Sequence, residues 1–145
     1  TKALIENGGD TSNPIAARAI RDQAFFKPAY EAYRDHFKEL YDTGVTVMTG
    51  SDMVLYGAPP LPIHQELAYM TQYGLTPIEA IQTATENPAR VLGIEKETGT
   101  LKAGLSGDIL VAAGDVSKDI HALDQVLEVF LAGKSVFKTP LHSRE

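Results

Sequence analysis

The apolar positions divide the chain into a helical first two thirds and a strand-rich last third. Asn13-Pro14 opens an Ala-rich stretch running to about Phe25. Asparagine is a good N-cap, and proline suits the first helical position, where its missing N–H costs nothing. Pro28 is expected to break this helix. From Ala29 the positions Ala29, Tyr33, Phe37, Leu40 and Tyr41 keep helical spacing up to a stop at Gly44. Tyr30, Tyr33, Phe37 and Tyr41 lie near one stripe, read as core packing. Val45-Thr46-Val47-Met48-Thr49 is continuous rather than alternating, which predicts a strand buried on both faces, as in a parallel sheet.

Gly50-Ser51 breaks that strand, and Gly57-Ala58-Pro59-Pro60 rules out regular structure in the loop that follows. Ile63, Leu67 and Met70 make a helical stripe stopped at Gly74. Thr76-Pro77-Ile78-Glu79 is a capping box: the threonine hydroxyl takes one free N–H and the glutamate reaches back to another. Ile78, Ile81, Ala84 and Thr85 continue that helix, and Asn87-Pro88 caps a short one ending at Gly93. After Gly99 the period changes. Thr100-Leu101 and Asp108-Ile109-Leu110-Val111-Ala112 read as strands around Gly104 and Gly107. Val126 to Leu131 and Ser135 to Lys138 read as a hairpin turning at Gly133-Lys134. A boundary is expected between Gly93 and Gly99, giving units 1–95 and 96–145.

Composition narrows the function classes. The 145 residues are enough for a real core, and 43% hydrophobic with 22% charged residues is ordinary for a globular chain. A net charge of -6 argues against nucleic acid as the main partner. No run approaches a membrane helix, and no secretory signal is visible, so a cytoplasmic location is the default expectation. The chain has no cysteine, which excludes disulfides and thiolate metal sites.

Asp52 lies just past the C-terminal end of the predicted strand, the edge where α/β barrels carry their chemistry. Read from the residues alone it is either a functional carboxylate or a turn residue after a strand. His64 is either at the mouth of a pocket or an ordinary polar residue near a helix N-terminus. The Met53 to Pro60 loop, with Tyr56, either shapes a pocket or lies on the surface. Arg90 is expected to pair locally with Glu86, and Glu95, Lys96 and Glu97 read as a solvated turn.

An ordered set of segments carries a resemblance over about Tyr41 to Lys138. It comprises Thr49-Gly50-Ser51-Asp52, His64-Gln65-Glu66-Leu67, Gly74-Leu75-Thr76-Pro77-Ile78-Glu79, Glu86-Asn87-Pro88-Ala89-Arg90 and Gly99-Thr100-Leu101-Lys102-Ala103-Gly104, ending at Asp108-Ile109-Leu110-Val111. This set resembles the C-terminal part of the amidohydrolase superfamily, nearest to its imidazolonepropionase and Xaa-Pro dipeptidase-like branches. The resemblance implies an α/β chain: the last segment of a metal-dependent (β/α)8 barrel hydrolase plus part of a small β-sandwich. It implies hydrolysis of an amide or peptide-like C–N bond in a small molecule through metal-activated water. Zinc is the metal it implies. Asp52 would be metal ligand and general base, with Ser51, Met53, Tyr56 and His64 lining the substrate pocket.

The resemblance also implies ligands this sequence lacks. The family's His-x-His pair is missing, for His36, His64, His121 and His142 are scattered singly. A barrel needs about 250 residues, and a catalytic zinc usually takes three protein ligands. The 145-residue chain alone is therefore expected to be an inactive piece of a longer protein. The alternative is a non-catalytic remnant acting as a structural or interaction module, dimerising to bury apolar faces.

Overall fold

The computed structural model describes residues 14–50 and 62–140. Among the described residues four helices come first: α1 (Pro14–Asp42), α2 (Ile63–Gln72), α3 (Pro77–Ala84) and α4 (Glu86–Val91). A sheet follows, of β1 (Ile109–Ala112), β2 (Val126–Leu131) and β3 (Lys134–Lys138), with a 3-10 helix at Ile120–Asp124 between β1 and β2. The sheet order is β1-β2-β3, and both pairings are antiparallel. The described chain is thus mixed α/β, with its helices and strands segregated along the sequence.

The core sits among the helices. Phe37, Leu67, Ala68, Met70, Leu75, Ala80 and Ile120 form one buried cluster, flanked by Tyr41, Val47, Tyr73, Ile81, Ala84 and Leu123. Thr83 is the buried polar residue here, and its hydroxyl donates to Ala80 O at 2.7 Å. From the last third of the chain, Ile120 enters the cluster fully and Leu123 partly.

Local chemistry explains the helix ends. Gly74 has φ +105°, Gly74 N donates to Thr71 O, and Leu75 N reaches back to Met70 O at 3.1 Å. This is the two-bond Schellman stop, which needs a left-handed residue after the last turn and tucks the next apolar residue inward. Leu75 is accordingly buried. Gly93 and Ile94 repeat both bonds onto Arg90 O and Ala89 O. The predicted capping box is present: Thr76 Oγ1 accepts from Glu79 N, and Glu79 Oε2 accepts from Thr76 N at 2.7 Å. Those two groups of Thr76, the backbone N–H first, hold the Glu79 carboxyl below its usual range.

Several expectations are corrected. Pro28 does not end a helix, since α1 runs through it. Pro28 and Ala24, whose carbonyl loses its partner, are both exposed. Water can satisfy that carbonyl, so the lost bond is tolerated. Of the aromatic stripe, Phe37 is buried and Tyr41 partly so, but Tyr30 and Tyr33 are half exposed. Tyr30 instead meets the Tyr73 hydroxyl at 2.5 Å, and burial together with that contact pushes the Tyr73 pKa up.

The run 45–49 is not a strand among the described residues, because no other strand lies beside it; its polar groups go to the helices. Val47 and Thr49 are partly covered while Val45 and Met48 are exposed, so one face is buried and not two. Residues 100–101 likewise have no ladder partner, and Leu101 is exposed. The hairpin turns one residue earlier than expected, at Ala132-Gly133, with Ala132 at φ 48°. Asp108 closes that turn rather than joining β1, its carboxylate accepting from Ala132 N at 2.8 Å. The start of α1 at Asn13 lies outside the described residues.

Candidate functional site

Of the five residues singled out, Ser51, Asp52, Met53 and Tyr56 lie outside the described residues; His64 lies within them. What the structure does show is how the chain is held up to Gly50, the last described residue before them. Three consecutive helices hold the backbone of residues 47–50. The Asn87 side-chain amide at the start of α4 donates to Val47 O at 2.9 Å. Thr49 N donates to Thr83 O in α3, also at 2.9 Å. Gly50 N donates to Glu66 Oε1 in the first turn of α2, again at 2.9 Å. These bonds replace a sheet ladder and fix the path of a segment without strand partners among the described residues.

These three anchoring residues are what sequence reasoning missed. Asn87 reads as a helix cap, yet the cap position of α4 is Thr85, and the Asn87 amide serves Val47 instead. For Glu66 a signal was present. It sits on the stripe formed by Ile63, Leu67 and Met70, where an acid is out of place on an apolar face. Its second oxygen, Oε2, is buried and makes no hydrogen bond among the described residues.

His64 stands at the junction of α2 and the 3-10 helix. Its Nε2 lies 3.9 Å from Asp124 Oδ1, and His121 Nδ1 approaches the other oxygen of Asp124 at 3.2 Å. The arrangement ties two elements together through partly exposed side chains. Beside it a cleft of about 1080 Å³ runs between the helices and β1, walled mainly by apolar groups such as Leu67, Leu92, Ile94, Leu110 and Leu123. Arg90 pairs with Glu86 at 3.0 Å, as expected for an i,i+4 contact.

Among the described residues no three His, Asp or Glu side chains come together in a way that would hold a metal ion. The residues in hand therefore do not make a zinc site by themselves. Nor, among them, is any helix long and apolar enough to cross a membrane.

A helical layer that pins the residues before a carboxylate, followed by a small antiparallel sheet, is an α/β arrangement with known relatives. The chain matches the Amidohydrolase family over residues 11–136 and belongs to that family. It is 51% identical over 51 residues to an imidazolonepropionase of Rubrobacter xylanophilus, covering 35% of this chain and 12% of that protein. It is 32% identical over 123 residues to an ochratoxinase of Aspergillus niger, covering 81% of this chain and 24% of the other. A crystal structure of a Xaa-Pro dipeptidase with methionine bound in its active site superposes with a TM-score of 0.61 at 29% identity, covering 73% of this chain and 25% of that one. The chain thus spans a quarter or less of the length of each of these relatives.

Proposed function

We propose that this chain is the C-terminal part of a metal-dependent amidohydrolase, and that the complete protein hydrolyses an amide or peptide-like C–N bond in a small molecule. Water oxygen adds to the carbonyl carbon, the C–N bond breaks, and the nitrogen leaves as an amine. Asp52 is the general base. It takes a proton from the attacking water and later passes it to the departing nitrogen, a double duty that suits a carboxylate beside the reacting atoms. Ser51, Met53, Tyr56 and His64 line the substrate pocket. Zinc is the metal in this reading, with Asp52 its ligand from this chain and the other ligands supplied from outside the described residues. Units 1–95 and 96–145 are the barrel segment and the sandwich segment.

The observation that carries the reading is the anchoring of residues 47–50 by Asn87, Thr83 and Glu66 immediately ahead of Asp52. A surface turn has no need of three fixed backbone points; a carboxylate that must meet a reacting atom does. The names of the relatives, an imidazolonepropionase and a Xaa-Pro dipeptidase, support ring amides and dipeptides as first substrates to try.

The test is turnover of ring amides and Xaa-Pro dipeptides by the complete protein, with and without the Asp52→Asn change. Loss of a general base lowers kcat by roughly 100- to 10,000-fold. Wild-type kcat in the Asn variant would sink the assignment. Removal of zinc by a chelator should abolish turnover and re-addition should restore it. The 145-residue chain alone should bind no zinc and turn nothing over. A complete protein that cleaves none of these substrates would instead favour the structural or interaction module.

A further inference from the structure

One-electron oxidation of this chain falls to tyrosine. The sequence has no cysteine, no tryptophan and six tyrosines. Methionine, the other readily oxidised side chain, takes up an oxygen atom to become the sulfoxide instead.

Three of the six tyrosines gather at one place on the helical layer. Tyr30 on α1 and Tyr73 at the C-cap of α2 bring their hydroxyl oxygens to 2.5 Å, with ring centroids 6.4 Å apart and planes at 75°. Tyr69, one turn before Tyr73, stacks beside it at 6.2 Å. Phe37, buried in the core, backs the Tyr73 ring edge-on at 6.0 Å.

The two phenols in hydroxyl contact differ in access. Tyr30 is half exposed, so an oxidant in solution can reach it. Tyr73 is partly buried, and burial first, then the Tyr30 contact, raises its pKa above the usual phenol value. Tyr73 therefore keeps its O–H at neutral pH. A phenol that loses an electron also loses its hydroxyl proton. A hydrogen atom moving from Tyr73 to a Tyr30 phenoxyl has only one hydrogen bond to cross, so a radical formed at the exposed ring is shared with the covered one.

We propose that Tyr30 and Tyr73 form an oxidative cross-linking site, at which a one-electron oxidant of the haem-peroxidase class, with hydrogen peroxide, joins the two rings through carbons ortho to their hydroxyls. Each phenol loses one electron and one proton to give a phenoxyl radical. The two radicals pair into one C–C bond, and the ring hydrogens at the joined carbons are replaced on the oxygens, restoring both phenols. Two hydrogens leave the protein in all, and hydrogen peroxide accepts them to become two waters. The product ties α1 to the end of α2 across 43 positions of sequence. It restrains the unfolded chain as a disulfide does, in a chain with no cysteine to make one.

The experiment treats the complete, folded protein with hydrogen peroxide and a haem peroxidase. Dityrosine is read by its fluorescence, and its position by mass mapping of proteolytic peptides. The Tyr30 and Tyr73 peptides should appear joined, lighter by two hydrogens than their sum, within a single molecule. The joined peptide should be lost in Tyr30→Phe and in Tyr73→Phe and kept in Tyr33→Phe and Tyr69→Phe. It should also be lost when the oxidation is run in denaturant, because the folded contact is what brings the rings together. The cross-linked protein should melt at a higher temperature than the untreated one. Absence of the joined peptide while free tyrosine in the same solution couples overturns the proposal. So does dityrosine that forms only between molecules, that survives Tyr30→Phe at the wild-type yield, or that forms equally in denaturant. If Tyr73→Phe does not fold, Tyr30→Phe makes the test alone, since it removes one exposed hydroxyl and keeps the ring.

Discussion

Single side chains hold this fold at places where a backbone group would otherwise go unpaired. The Thr76 and Glu79 exchange at the head of α3 is the clearest case, since it satisfies two free N–H groups at once. Thr76→Ala should cost about 1 kcal/mol, which lowers the melting temperature by roughly 2–4 °C in a chain of this size. The same box gives a pH dependence with a definite sign. The folded Glu79 pKa lies below its ordinary value of 4.5. Its contribution is therefore complete above about pH 4.5 and is lost as pH falls through the lower, folded pKa. Melting curves of wild type and Glu79→Gln should differ near pH 7 and converge in acid; a constant offset down to pH 3 would refute this. In the core, Phe37 is 1% exposed and packs edge-on against Tyr73. Phe37→Ala should cost about 3–5 kcal/mol, read as a lower denaturant midpoint.

Whole elements show which sequence signals are self-sufficient. α2 and α3 are legible because their stripes, cap and stop are all local: Ile63, Leu67 and Met70, then Gly74, then Thr76 to Glu79. The family match, too, was legible from segments in order. Elements that depend on a distant partner were not. The run 45–49 has strand composition, but strand pairing requires a neighbour, and among the described residues it has helices instead. Asn87 carries the composition of a cap and spends its amide 40 positions away. Pro28 has the composition of a breaker, and only its exposure explains why α1 continues.

A helix-interior proline costs about 3 kcal/mol in lost bonding and strain. Pro28→Ala should therefore raise helicity by circular dichroism and slow amide exchange over residues 24–32. Gly99 bears on α4 in the opposite sense. At φ +98° its position admits no ordinary side chain, and an added Cβ would stand 2.5 Å from the Ala89 Cβ. Gly99→Ala should lower the melting temperature by separating the chain after Gly93 from α4.

At the scale of the molecule, the question is what joins the helices to the sheet. Two kinds of contact cross from α2 to the 3-10 helix: the pairing of His64 with Asp124, and the burial of Ile120 with Leu123 beside it. Magnitudes decide between them. The His64–Asp124 contact is 3.9 Å long, with side chains 39% and 51% exposed, and even fully charged surface pairs contribute about 0–1 kcal/mol. Burying an isoleucine contributes about 1.5–3 kcal/mol, and truncating it in a core costs about 2–5 kcal/mol. Ile120 is 4% exposed and belongs to the same cluster as Phe37 and Leu67. Among the described residues it is therefore the stronger of the two contacts between α2 and the 3-10 helix.

Ile120→Ala should do more than lower stability. It should split a single unfolding transition into two, with exchange protection of the β2 amides lost at lower denaturant than that of the Ala80 and Thr83 amides. His64→Ala should shift the midpoint only slightly and leave one transition. Two transitions in the histidine variant, or one in the isoleucine variant with all amides failing together, would mean that the polar contact carries the junction and the burial argument fails.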